Sequence, residues 1–303
     1  MKLGPIHVLT DAGYRRMIGE IERLWGEVET MKERLEPRHA IEIPRLAGEG
    51  RTYREPPTPP PSALAMFDVL DGWTTRFEID GRIVGGPADL CHDPRLQWLL
   101  DAIGGVKGKR VLELGPMEGA HTGVLLDQGA REVIAIEGFR PAWLKCLVIK
   151  EIRRLDRASF LYGDFRAFAA SYHGQPFDVV LASGVLYHQK NPVELIGHLG
   201  RMTRTLLVST QVADAEFPAG GIDVEVAASG KSYRGKQQDY GARRDESRNY
   251  CGGVDGQSVW LYPEELRRAL HDAGFVHLEE RGVEPGPYGP WFVVAARFSG
   301  GEC

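Results

Sequence analysis

GKRVLELGPMEGAHT, residues 108–122, places a short apolar run directly before a glycine turn and a helical segment. Val111, Leu112 and Leu114 surround one carboxylate, Glu113. Gly115-Pro116 breaks the strand, and Gly119-Ala120 opens a helix that carries Val124, Leu125 and Leu126. Strand, glycine turn and helix form the layout of a nucleotide-type site, in which helix N–H groups face an anionic or polar ligand. Outward from here the pattern alternates. Strand-like runs at 110–114, 132–137, 158–162, 177–182 and 205–210 are separated by helix-like runs at 119–128, 141–155, 165–172 and 192–203. Strands so apolar on both sides belong in the middle of a parallel sheet. A helix beginning at Pro263 and stopping at Gly274 follows, then strands at 276–280 and 291–297. A short Gly/Pro turn joins those two, so they are expected to pair antiparallel.

Ahead of this core, Tyr14, Ile21, Val28 and Leu35 recur every seven residues, with Met17, Leu24 and Met31 three places later. That a/d seam predicts an amphipathic helix within residues 1–36, and self-association through it gives a homo-oligomer. A helix lying on its own catalytic domain is the alternative. Residues 37–62, with RTYREPPTPPPS, read as a Pro-rich spacer. Residues 63–104 contain FEI and RIV flanking Asp80-Gly81, a tight hairpin, and then a helix after Asp93-Pro94. The catalytic domain occupies 105–303, with a Gly- and charge-rich insertion at 211–257.

The net charge of −5 supplies no general field for a polyanion. Cys91, Cys146, Cys251 and Cys303 are scattered with no CxxC pair, as expected of reduced thiols. No stretch approaches the roughly 18 apolar residues of a membrane span, and the start lacks the apolar core of a signal peptide. A soluble, cytoplasmic protein with no membrane partner is the expectation. The nine histidines show no HxH or HExxH spacing, so no metal is indicated.

In an open parallel sheet, ligands bind beyond the carboxyl ends of the strands. The second strand ends at Glu137, whose carboxylate can accept both hydrogen bonds of a ribose diol. The third ends in Gly163-Asp164-Phe165, which offers an acceptor for an exocyclic adenine amine and an apolar face for the base. A dinucleotide would need GxGxxG, and Gly115-Pro116-Met117-Glu118-Gly119 lacks it. Glu118 would also repel a pyrophosphate. S-adenosylmethionine has no phosphate and carries a cationic sulfonium and ammonium, which suit Glu113 and Glu118 better.

VLELGPMEG at 111–119, Glu137, GDF at 163–165 and FDVVLASGVLYH at 177–188 resemble the class I S-adenosylmethionine-dependent methyltransferases over about residues 105–297. The resemblance implies an α/β, Rossmann-like seven-stranded sheet of order 3-2-1-4-5-7-6 with the last strand antiparallel. Locally, GVLYHQKNP (184–192) and SVWLYPEELRRALHDAGF (258–275) are similar to segments of the tRNA wobble-uridine carboxymethyl- and methoxy-forming enzymes. Carried over, Glu113, Gly115, Pro116 and Gly119 would hold the methionine end of the donor. Glu137 would hold the ribose, Asp164 and Phe165 the adenine, and Ser183 would line the methyl site. Family members commonly have glycine where Met117 stands. The carboxymethyl-transferring relatives use basic residues to hold an added carboxylate; Gln189 and Gln257 stand here, which favours plain S-adenosylmethionine.

Each of these residues also has a structural reading. Asp164 can cap the helix that begins at Phe165, whereas a carboxylate inside an apolar strand, as at Glu113, is costly without a partner. Tyr187 and His188 are the candidate catalytic pair, with His188 able to take a hydroxyl proton during attack on the methyl group; a histidine bonded to its own loop is the alternative. In the insertion, Tyr233, Arg234, Arg243, Arg244 and Tyr250 interleave charge and aromatic surface, as in a lid that selects the acceptor. A solvated loop is the plainer reading. O-methylation of a small-molecule or glycan hydroxyl is the favoured activity. The alternatives are tRNA wobble-uridine modification and a non-catalytic dimeric partner that keeps a vestigial fold.

Overall fold

The computed structural model describes Arg23 and residues 59–239, 255–286 and 288–299. The heptad seam, the Pro-rich spacer up to residue 58, and Arg243, Arg244 and Tyr250 lie outside the described residues. The chain divides into a unit of Met1–Thr58 and a unit of Pro59–Cys303, and the sheets and their covering helices belong to the second.

This second unit opens with α1 (Ala63–Phe67), capped by Ser62, whose Oγ accepts from the Ala65 N–H. The hairpin β1 (Arg76–Ile79) and β2 (Arg82–Gly85) follows as the sequence predicts. Its turn residues Asp80 and Gly81 both have positive φ, 51° and 70°, the pairing a two-residue hairpin turn requires. Next is α2 (Pro94–Ala102), with Asp93 as N-cap and proline in the first turn.

The core strands are β3 (Arg110–Leu114), β4 (Glu132–Glu137), β5 (Ala158–Tyr162), β6 (Val179–Ser183) and β7 (Thr205–Gln211). Between them run α3 (Ala120–Asp127), α4 (Arg140–Arg153), α5 (Phe165–Ser171) and α6 (Pro192–Met202). The insertion supplies β8 (Ile222–Ala228), β9 (Lys231–Asp239) and β10 (Gln257–Leu261). The chain then forms α7 (Pro263–Asp272), β11 (His277–Glu284) and β12 (Trp291–Arg297).

The main sheet runs β11-β12-β7-β6-β3-β4-β5. Read from β5, and counting core strands along the chain, that is 3-2-1-4-5-7-6, with β12 antiparallel to both its neighbours. The expected class I topology is what the chain adopts. Period-2 alternation decides which helices cover which face. Leu112, Leu114, Val180, Ala182, Leu206 and Val208 pack into one apolar cluster with Ile196, Leu199, Leu266 and Leu270 of α6 and α7. Val111, Val179, Leu181 and Leu207 pack into another with Leu99, Leu125 and Ile149 of α2, α3 and α4. Burial on both faces explains why these strands read as unbroken apolar runs.

The insertion departs from expectation. Residues 222–239 and 257–261 are a three-stranded antiparallel sheet, β10-β9-β8, rather than a charged loop. Ser229 and Gly230, both at positive φ, make the β8–β9 turn.

Candidate functional site

The turn after β3 alternates backbone hand. Gly115, Met117 and Gly119 sit at φ 61°, 57° and 82°. A Cβ on Gly115 would stand 3.3 Å from Val185 Cγ2, and one on Gly119 3.2 Å from Phe160 Cζ, so both glycines are favoured by their left-handed backbone and by tight space. Met117 holds a left-handed backbone without being glycine. Met117→Gly removes that strain and is expected to stabilise the fold by about 1 kcal/mol. Calorimetry should show a melting temperature raised by a few degrees; a lowered one would mean that the methionine side chain packs well enough to outweigh its backbone cost.

The loop is fastened from below by Glu137 at the end of β4. Its Oε2 accepts from Met117 N–H at 3.0 Å and its Oε1 from Phe139 N–H at 2.8 Å. Burial pushes the Glu137 carboxyl up to about 7, against the pull of these N–H groups, and the nearby Glu113 adds to the rise. Each oxygen keeps a lone pair, so the carboxylate can serve the loop and a pair of hydroxyls together. Glu113, on the same face of the sheet, is 2% exposed, and Thr122 Oγ1 of α3 donates to it. Burial raises its pKa. Beside it, His121 Nε2 lies 3.3 Å from Asp93 Oδ2.

Glu118 corrects the sequence reading. Its oxygens are taken by groups of the chain itself, a cation among them. Its Oε1 accepts from Thr74 N–H and Lys145 Nζ, each at 2.9 Å, and its Oε2 from Thr75 N–H at 2.6 Å. This carboxylate ties the residues before β1 to the glycine turn and to α4. No local pattern announces it, because its partners are 44, 43 and 27 residues away in sequence.

Asp164 caps α5, accepting from Arg166 N–H at 2.8 Å, and also pairs with the Arg166 guanidinium, which holds its carboxyl below the usual range. The capping reading is therefore realised. Asp164 remains exposed at the strand end beside half-buried Phe165, so a further acceptor role is sterically open. Arg166 reaches on to Asp255, at the entry to β10, and Lys190 Nζ approaches the same acid at 3.7 Å.

Ser183 ends β6, and Gly184 follows at φ 75°. The 3-10 turn Leu186–His188 then folds Tyr187 back, so that its hydroxyl lies 4.0 Å from where a Cβ on Gly184 would stand. Tyr187 is buried between two indoles, edge-on to Trp260 at 5.7 Å and to Trp291 at 5.6 Å, with His188 at 3.9 Å. Arg95 of α2 lies over Trp291 at 4.2 Å. Trp260, Trp291 and Arg95 are not among the sequence candidates. SVWLY and PYGPWF hold two of them, but only the folded chain brings 260 and 291 to residue 187. His188 is 8% exposed, and burial lowers its pKa to about 4, so it is neutral near pH 7.

Two insertion candidates are placed away from these strand ends. Tyr233 is 2% exposed, packs in the main core, and donates its hydroxyl to Asp272 Oδ2 at 2.7 Å. Being an odd-numbered residue of β9 sends it inward. Arg234 points outward, pairs with Glu265 at 3.2 Å and Glu264 at 3.6 Å, and lies over Tyr262.

A methyltransferase-domain family matches residues 92–280, more than half of the chain. The chain belongs to that family. The resemblance to class I S-adenosylmethionine-dependent methyltransferases is thus borne out in both sequence and topology. Curated relatives include the tRNA U34 carboxymethyltransferases of Dichelobacter nodosus (strain VCS1703A), 30% identical over 146 residues, and of Alteromonas mediterranea (strain DSM 17117 / CIP 110805 / LMG 28347 / Deep ecotype), 29% over 168. Those matches take in 43% and 52% of this chain but only 45% and 44% of the relatives, so the chain spans less than half of their length. Among solved structures, the N-terminal domain of EvdMO1, crystallised in the presence of SAH and D-fucose, superposes with a TM-score of 0.60. It shares 22% identity, covering 77% of this chain and 93% of that one, a likeness of fold. Among the described residues no helix is long and apolar enough to cross a membrane.

Proposed function

We propose that this methyltransferase carries the methyl group of S-adenosylmethionine to a hydroxyl of a small-molecule or glycan acceptor. The donor fits the site. Left-handed residues at 115, 117 and 119 bring the backbone close beneath a ligand, and Glu137 stands below with lone pairs for a ribose diol. In this reading Gly115, Pro116 and Gly119 cradle the methionine end together with Glu113, to which Thr122 of α3 donates. Asp164 and Phe165 flank the adenine, and Ser183 lines the methyl site. Bound donor supplies an activated methyl; the protein aligns the two reactants and excludes water.

The observation that carries the acceptor class is the state of the described cations around the insertion sheet, Lys236 apart. Arg166 is matched by Asp164 and Asp255, Arg234 by Glu264 and Glu265, Lys231 by Asp272, and Arg268 by Glu265. Cations already neutralised in this way release few counterions, and a phosphate backbone needs several that do. The aromatic cluster of Tyr187, Trp260 and Trp291 beside Ser183 and Gly184 instead offers ring faces and edges to one small acceptor. The second reading, tRNA wobble-uridine modification, is favoured by the curated relatives. A labelled-methyl screen across sugars, phenols, nucleosides and tRNA separates them. Incorporation into tRNA, with binding that weakens steeply as salt rises, would overturn the small-molecule reading. Calorimetry showing no uptake of S-adenosylmethionine at millimolar concentration would leave the non-catalytic partner role.

Within this reading His188, neutral near pH 7, accepts the acceptor's hydroxyl proton as the oxygen attacks the methyl carbon. His188→Ala is expected to lower turnover by roughly 10²–10⁴-fold while leaving donor affinity unchanged. At saturating donor, the wild-type turnover number should fall only as pH drops toward about 4, where the imidazole becomes charged. Wild-type turnover in the variant would make His188 structural.

A further inference from the structure

The insertion sheet has two faces. One carries Tyr233, Val259 and Leu261 into the main core. On the other, Lys236 and Trp260 stand directly opposite each other in the β9–β10 register and so share a face. Trp260 is 6% exposed and packs against Tyr187, yet its indole Nε1 has no hydrogen-bond partner among the described residues. Lys236 is 8% exposed. Its Nζ donates to the Ala215 carbonyl at 2.9 Å and forms no ion pair among the described residues. The acid beside it in register, Asp223 of β8, accepts instead from the Tyr262 hydroxyl at 2.5 Å.

Among the described residues a buried ammonium is held by one carbonyl and, on the residue opposite it in register, a buried indole N–H by nothing, an arrangement that folding alone disfavours. An oxyanion would satisfy both. We propose that Lys236 and Trp260 form a subsite for a carboxylate on the methyl acceptor, seated beside Tyr187; this rests on the methyltransferase reading above. Two donors match the two oxygens of a singly charged planar group. A phosphate would bring a third oxygen and up to a second charge, and Arg234, the other cation on this face of β9, is already engaged by Glu264 and Glu265. Residues 213–217 border the pair: Ala215 supplies the carbonyl, and Ala213 packs with Tyr187 and Trp260.

The test uses the full chain with ¹⁵N-labelled indoles and bound S-adenosylhomocysteine, the Trp260 signal being assigned by its loss in Trp260→Phe. The probes are 4-hydroxybenzoate and galacturonate, their neutral counterparts 4-hydroxybenzamide and galactose, and inorganic phosphate. A carboxylate probe should shift the Trp260 signal, its neutral counterpart and phosphate should not, and Lys236→Met should weaken the carboxylate by roughly tenfold or more. Affinity for S-adenosylhomocysteine should be the same in Lys236→Met and wild type. A silent Trp260 signal with both carboxylates, a shift produced by phosphate alone, or a shift unweakened in Lys236→Met would each overturn the proposal. So would reduced S-adenosylhomocysteine affinity in Lys236→Met, which would assign the lysine to the donor. Failure of wild-type protein to bind S-adenosylhomocysteine would overturn the methyltransferase reading, and the subsite with it.

Discussion

Glu118→Ala is expected to lower the melting temperature by roughly 10 °C or more, the largest stability loss of any single change in the glycine turn. Glu118 and Lys145 are both buried, with side chains 2% and 9% exposed. Removing the acid leaves the ammonium with the Gly72 carbonyl alone and strands the Thr74 and Thr75 N–H groups. Breaking a buried pair from one side costs about 3–5 kcal/mol, because the remaining charge stays in a poor solvent. The reciprocal change should be milder. In Lys145→Met, Glu118 keeps its two backbone donors, and the new side chain meets the face of Trp73, over which Lys145 Nζ now lies at 5.3 Å. The expected order of stability is therefore wild type, Lys145→Met, Glu118→Ala, measured by calorimetry. Equal melting temperatures for all three would show that the pair is solvated in solution. Because Glu118 lies between Met117 and Gly119, donor binding should weaken along with stability in Glu118→Ala.

The contrast between Glu118 and Glu137 shows which parts of this site are legible in sequence. Glu137 is legible because strand periodicity places it at a carboxyl end, and chain order then places that end beside the glycine turn. Both steps are local. Glu118 sits in the same turn and looks equally available, but its partners come from residues 72–75 and 145. The acceptor side is obscured for a different reason. Strand β8 alternates acid and small apolar residues, β9 is mostly polar, and neither has the continuous apolar run that marks β3 to β7. Ser229-Gly230 between two alternating runs is the available hairpin signal. Once β9 is a strand, period 2 sends Tyr233 into the core and Lys236 to the opposite face, so aromatic and basic residues of one stretch serve unrelated ends. At Asp164 the cap is what the structure shows, and because a carboxylate has four acceptor positions it leaves room for the proposed adenine contact.

Donor affinity is expected to fall by roughly tenfold from about pH 7 to about pH 5.5, and Glu137→Gln should remove that dependence. The sign follows from the site. In the free protein burial holds the Glu137 carboxyl up at about 7, above its ordinary value of 4.5. The protonated form is thus favoured by folding, and this contribution to stability is full below the ordinary value and lost as pH rises through about 7. A ribose diol donates two hydrogen bonds, which the ionised carboxylate accepts more strongly, so binding the donor pulls the pKa back down and releases a proton. Below about pH 7 each unit of acidity makes the ionised form about tenfold scarcer, and the apparent dissociation constant rises in step. Glu137→Gln cannot titrate, and its amide nitrogen presents a donor where Met117 or Phe139 N–H needs an acceptor. Its affinity should be weaker by roughly 10–100-fold near pH 8 and flat with pH, and Glu137→Ala should be weaker still because the glycine turn loses its fastening. Glu113, whose pKa is also raised by burial, is the competing source of a pH effect. If Glu137→Gln keeps the full wild-type slope in calorimetric titrations with S-adenosylhomocysteine, the titrating group is Glu113, and the ribose assignment of Glu137 fails.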